Sequence, residues 1–106
     1  MSAVATLVDS LPALHQCLAE ISPLPAPPQP ISLAIDLEGI KLCRHGRISI
    51  LQIMSNLSTT VWLLDITILG REAFDHVDPN GQSLRAILEA PDIKKVIKLP
   101  QSLAFF

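Results

Sequence analysis

At 106 residues, with a formal net charge of −2, the chain is one small domain or part of a larger one and has no room for two independent cores. Hydrophobic residues are 49% of the total and charged residues 17%. That balance excludes a disordered chain, and the slight acidity leaves any nucleic-acid contact to local basic clusters or bound cations.

The start, "MSAVATLVDS", has no basic region and no clear cleavage site, so no secretory signal is read there. No apolar run approaches the roughly 18 residues that span a bilayer. Cys17 and Cys43 lie far apart with no CxxC spacing, which indicates neither a disulfide framework nor a zinc ligand set. The expectation is an intracellular protein, cytoplasmic or nuclear, in a reducing compartment and with no membrane partner.

From Ser10 to Ile21 the apolar residues Leu11, Leu14, Leu18 and Ile21 recur at helical spacing, with Ser10 as N-cap and Pro12 tolerated in the first turn. Five prolines in the nine residues Ser22 to Pro30 then forbid helix or central strand and favour an extended connector. Residues 1–30 therefore read as an N-terminal helix and proline-rich connector leaning on a main domain of residues 31–106.

"ISLAIDLEG" alternates Leu33, Ile35 and Leu37 on one face with Ala34, Asp36 and Glu38 on the other, the period of a strand with one buried side. After the turn region "GIKLCRHG", the runs "RISILQIM" and "TTVWLLDI" read as two more strands, close enough in sequence for an antiparallel meander. "ITILGREAF" reads as a short helix, "DPNG" as a turn, and "SLRAILEA" as a helix capped by Ser83 and stopped by Pro91. "KKVIKL" is a fourth strand. Three strands, helices and another strand make an α/β fold with a mixed sheet.

Two acids two residues apart on a strand face one spot about 6.5 to 7 Å apart. Ionised, they repel unless a cation lies between them. Magnesium prefers oxygen ligands and takes one or two carboxylates together with water and phosphate oxygens. Asp36 and Glu38 are therefore candidate ligands of a site for phosphoryl chemistry, although a DxE triplet is common and on spacing alone more often describes ordinary acids at a strand end.

Lys41, Arg44, His45 and Arg47 cluster in the following turn, where they serve either as phosphate contacts or as a solvated hairpin loop. Trp62 in an apolar strand reads as core, Cys43 as a packing residue, and Lys94, Lys95 and Lys98 as edge or surface charges.

Several blocks in order, "AIDLEGIKLCRHGRISILQIM", "VWLLDITILGREAF" and "SLRAILEAPDIKKVIK", resemble the first half of the 3'-5' exonuclease domain of the ribonuclease D-like group, within the DEDD superfamily on a ribonuclease H-like fold. The resemblance runs over roughly residues 31–98. It implies an incomplete ribonuclease H-like mixed sheet, three antiparallel strands followed by a helix and a parallel strand. It also implies Mg2+ or Mn2+ as cofactor, RNA or single-stranded DNA as partner, and two-metal phosphodiester hydrolysis. Asp36 and Glu38 match the first exonuclease motif as catalytic metal ligands, and Lys41, Arg44 and Arg47 would hold the nucleic acid.

The aspartate of the second motif has no match, since Leu103 falls near its position and no acid follows Asp92. The third motif has none either. The expectation is thus a truncated and catalytically impaired exonuclease domain, with a non-catalytic binding module for nucleic acid or protein, or a shortened product, as the alternatives.

Overall fold

The computed structural model describes residues 4–22, 30–40 and 47–98. A short strand, β1 (Val4–Val8), leads into helix α1 (Leu11–Ile21). Strands β2 (Ser32–Ile40), β3 (Arg47–Ser55) and β4 (Thr60–Asp65) follow, then the helical turns α2 (Ile66–Leu69) and α3 (Glu72–Asp75), helix α4 (Leu84–Glu89) and strand β5 (Lys94–Lys98). The five strands form one sheet in the order β1-β4-β3-β2-β5. The meander β2-β3-β4 is antiparallel, and β1 and β5 join its two sides in parallel. The expected mixed α/β sheet is present, with one further strand at its N-terminal end.

Helix α1 forms as its spacing predicts. Ser10 accepts a hydrogen bond from the Ala13 amide at 3.3 Å, Pro12 sits in the first turn, and Leu14, Cys17, Leu18 and Ile21 form one buried stripe. These residues share a single core with Val8, Leu33, Ile35, Leu51, Ile53, Trp62, Leu64, Leu84 and Ile87. The helix therefore does more than lean on the domain. It builds one side of the core, while β1 extends the sheet through Val8, which pairs with Leu64. Burial and the charge of Glu20 push the Cys17 thiol up, which fits an inert packing residue.

Two polar ties hold α1 in place. His15 and His76 share a hydrogen bond, Nε2 to Nε2, of 2.9 Å. The Glu20 carboxylate accepts from Trp62 Nε1–H and from the Ser58 hydroxyl, the latter at 2.9 Å. Trp62 is core, as expected, with its one polar atom satisfied in this way. Glu20→Ala should lower stability by about 1 kcal/mol, because it leaves the indole N–H without its acceptor. Urea unfolding followed by Trp62 fluorescence measures this, together with a change in the native emission maximum.

The expected single helix "ITILGREAF" is instead two four-residue turns. Gly70, at φ 61°, ends the first in a conformation that glycine adopts without strain. No helix among the described residues is long and apolar enough to cross a membrane.

Candidate functional site

The core lies on one face of the sheet. Along β2, Leu33 and Ile35 are buried, while Ala34 and Glu38 are exposed and Asp36 is half-buried. The alternation read from the sequence therefore holds, and Asp36 and Glu38 stand together on the face away from α1 and α4. They stand two positions apart along the strand, about 6.6 Å of rise. A register shift follows at once, between Glu38 and Gly39. Such irregularities turn a strand end away from its neighbour and re-aim the side chains beside it.

The pairing places other residues around the acids. Asp36 lies opposite Gln52 on β3, and Glu38 lies opposite Ile50. Beyond Ile50 comes Asp65 on β4, whose carboxylate is engaged as the cap of α2, accepting from the Ile68 amide at 3.0 Å. On the other side, Asp36 is in register with Lys98 of β5. Among the described residues neither the Asp36 nor the Glu38 carboxylate has a hydrogen-bond or ion-pair partner. Both present free oxygen atoms, hard donors that suit magnesium or manganese.

Among the described residues no group of three or more His, Cys, Asp or Glu side chains gathers to hold a metal ion. The acidic pair is thus a two-carboxylate donor set. That matches magnesium's habit of taking one or two protein carboxylates and filling the remaining positions with water and phosphate oxygens.

Of the basic turn, Lys41, Arg44 and His45 lie outside the described residues, as does Cys43. Arg47 opens β3 opposite Ile40. The lysines of β5 divide by face. Lys95 is in register with Leu33 on the core side, and its ammonium donates to the Ala90 carbonyl. It caps the end of the α4 segment, and the strand that carries it is the edge of the sheet, as the sequence reading allowed. Lys94 and Lys98 are exposed on the side of the acids. Sequence reasoning missed the neighbourhood of Lys98 and Asp36, whose only trace in the sequence is the alternation within "KKVIK".

Comparison with known proteins shows what the chain as a whole is similar to. Over 65 residues the chain is 43% identical to the piRNA biogenesis protein EXD1 of Mus musculus and, equally, to that of Homo sapiens. The match takes in 61% of this chain but only 10% and 11% of those proteins, so the chain spans about a tenth of their length. Ribonuclease D of Trypanosoma brucei, solved in complex with RNA U12, superimposes with a TM-score of 0.66 over 90% of this chain and 30% of its own, at 21% identity. Escherichia coli ribonuclease D, an exoribonuclease involved in structured RNA processing, does so with a TM-score of 0.55 over 92% of this chain and 21% of its own, at 19% identity. No family model matches the chain. The fold of the chain is thus similar to part of that of ribonuclease D.

Proposed function

We propose that this segment supplies the first acidic motif of a two-metal 3'-5' exonuclease site acting on RNA or single-stranded DNA, with Asp36 and Glu38 holding Mg2+ or Mn2+. The observation that carries the reading is the placement of two unpartnered carboxylates on one face of β2, within a sheet that superimposes on ribonuclease D. Asp36, half-buried and flanked by β3 and β5, is the better fixed of the two and would hold a divalent ion most firmly. Glu38, exposed before the register shift, would supply the second carboxylate. Divalent ions bound there would make a hydroxide nucleophile available at neutral pH and stabilise the leaving oxygen.

Two carboxylates leave a second ion weakly held, so the 106-residue chain alone hydrolyses slowly or not at all. What it retains is cation-dependent binding of a phosphate backbone. Manganese titration followed by electron paramagnetic resonance tests the site. Asp36→Asn should weaken Mn2+ binding at least about tenfold, because removing one of two charged ligands removes about half of the donor set. Equal binding by wild type and the variant would overturn the assignment. Release of nucleotides from labelled RNA by wild type, lost in Asp36→Asn, would overturn the claim of impairment. RNA binding without release supports it.

A further inference from the structure

We propose that Lys98 is a phosphate-contacting residue of the same site, a role that rests on the metal reading of Asp36 and Glu38. Its position follows from register and alternation. Ile97 pairs with the buried Ile35 and shares an apolar hollow with it, Leu37 and Leu51 on the core side. Val96 pairs with Ala34 and lies with it and Met54 on the opposite face. Lys98, next in the alternation, therefore projects on the face of Asp36, one strand spacing of about 4.8 Å away. Its ammonium is exposed and, among the described residues, has no acceptor. Lys95, three residues earlier on the same strand, has its ammonium committed to a carbonyl.

The charges around this point decide what Lys98 does. Without a cation the two acids outweigh the single lysine, and the patch repels a polyanion. One divalent ion cancels the two carboxylates, and Lys98 then leaves the patch with one positive charge. A phosphate drawn to the ion lies within reach of the ammonium, which carries three donors on a flexible stem. Lys98 would thus donate to a phosphate oxygen beside the ion that Asp36 and Glu38 would hold. The recognised group is the sugar-phosphate backbone rather than a base, so the contact is independent of sequence.

Lys94 supplies an internal control. It lies on the same strand and the same face but pairs with Ser32, about 13 Å from Lys98 along the strand. Lys98→Gln and Lys94→Gln change net charge identically, and both residues are exposed, so neither variant disturbs the core.

The experiment measures binding of a short oligouridylate to the 106-residue chain with saturating Mn2+, across a salt series, alongside Mn2+ affinity without RNA. Lys98→Gln should weaken RNA binding about fivefold at low salt and reduce the log–log salt slope by about 0.7, the value for one phosphate contact on a single strand. Lys94→Gln should change both much less, and Lys98→Gln should leave Mn2+ binding as tight as wild type or tighter. Equal RNA affinities for the two lysine variants, with Mn2+ binding still dependent on Asp36, would overturn the role of Lys98 alone. Mn2+ binding indifferent to Asp36→Asn would overturn the metal reading and this proposal with it.

Discussion

Leu18→Ala is expected to lower the stability of the chain by about 3 kcal/mol, within the range of about 2 to 5 kcal/mol for leucine-to-alanine changes in closed cores. Leu18 is fully buried in α1 and belongs to the same core as the sheet residues Leu33, Ile53 and Leu64. Truncation removes its contacts from both sides of that core, and α1 cannot close the gap because Ser10, His15 and Glu20 fix it along its length. Since a domain of this size has only about 5 to 15 kcal/mol of stability in total, the loss is large. Urea denaturation monitored by far-ultraviolet circular dichroism and by Trp62 fluorescence provides the measurement. If residues 1–30 formed an appendage, the helical signal would melt first and Trp62 would keep its midpoint. A shared core requires both midpoints to fall together. Ala19→Ser, one position away on the exposed side of the helix, should change stability by no more than about 0.5 kcal/mol.

The elements that could be read from sequence are those whose burial is local and periodic. Strand β2 and helix α1 each carry an apolar stripe at their own period and were legible from it, although β2 runs on to Ile40, two residues into the stretch read as a turn. Strand β1 was not. Only Val8 among its five residues is buried, and its parallel partner β4 lies more than fifty residues later in the chain. Its strand character comes from a long-range pairing that no local pattern records. The break between α2 and α3 had a visible cause in Gly70. The apolar spacing around it nevertheless suits a continuous helix, and only the left-handed backbone at that glycine separates the two turns.

The same distinction applies to the candidate site. That Asp36 and Glu38 share a face follows from the two-residue period of a strand, and the structure places them so. Which residues flank them depends on register, and register between β2 and β5 is decided some sixty residues downstream of the acids. Lys94, Lys95 and Lys98 look alike in sequence. In the sheet, alternation sends Lys95 to the core side, and register sets Lys98 beside Asp36 and Lys94 beside Ser32. A strand assignment gives the parity of these lysines, but only the pairing tells which of the two on the open face stands beside the acids.

Asp78→Ala is expected to cost about 2 to 3 kcal/mol, whereas Asp78→Asn should stay within about 1 kcal/mol of wild type. Asp78 is 4% exposed although it begins the "DPNG" turn. Its Oδ1 accepts from the amides of Asn80 at 2.9 Å and Gln82 at 2.8 Å. Its own amide donates to the Gln82 carbonyl at 2.8 Å, and its carbonyl accepts from the Gly81 amide at 3.0 Å. Gly81 adopts φ 81°, so the loop is folded tightly around this one carboxylate. Alanine would leave two amides without their acceptor, and hydrogen bonds to a charged group are worth about 1.5 to 3 kcal/mol. The effect would pass to α4, because Ser83, its N-cap, follows the loop directly and sets the angle at which Leu84 and Ile87 enter the core. Asparagine keeps the Oδ1 acceptor. The second oxygen, Oδ2, is buried without a hydrogen-bond partner, and a neutral amide is less costly to leave there than a charged oxygen. Urea midpoints for the three proteins decide between a loop that needs an acceptor and one that needs a charge. Equal losses for alanine and asparagine would show that the negative charge of Asp78, rather than its Oδ1 geometry, holds the turn.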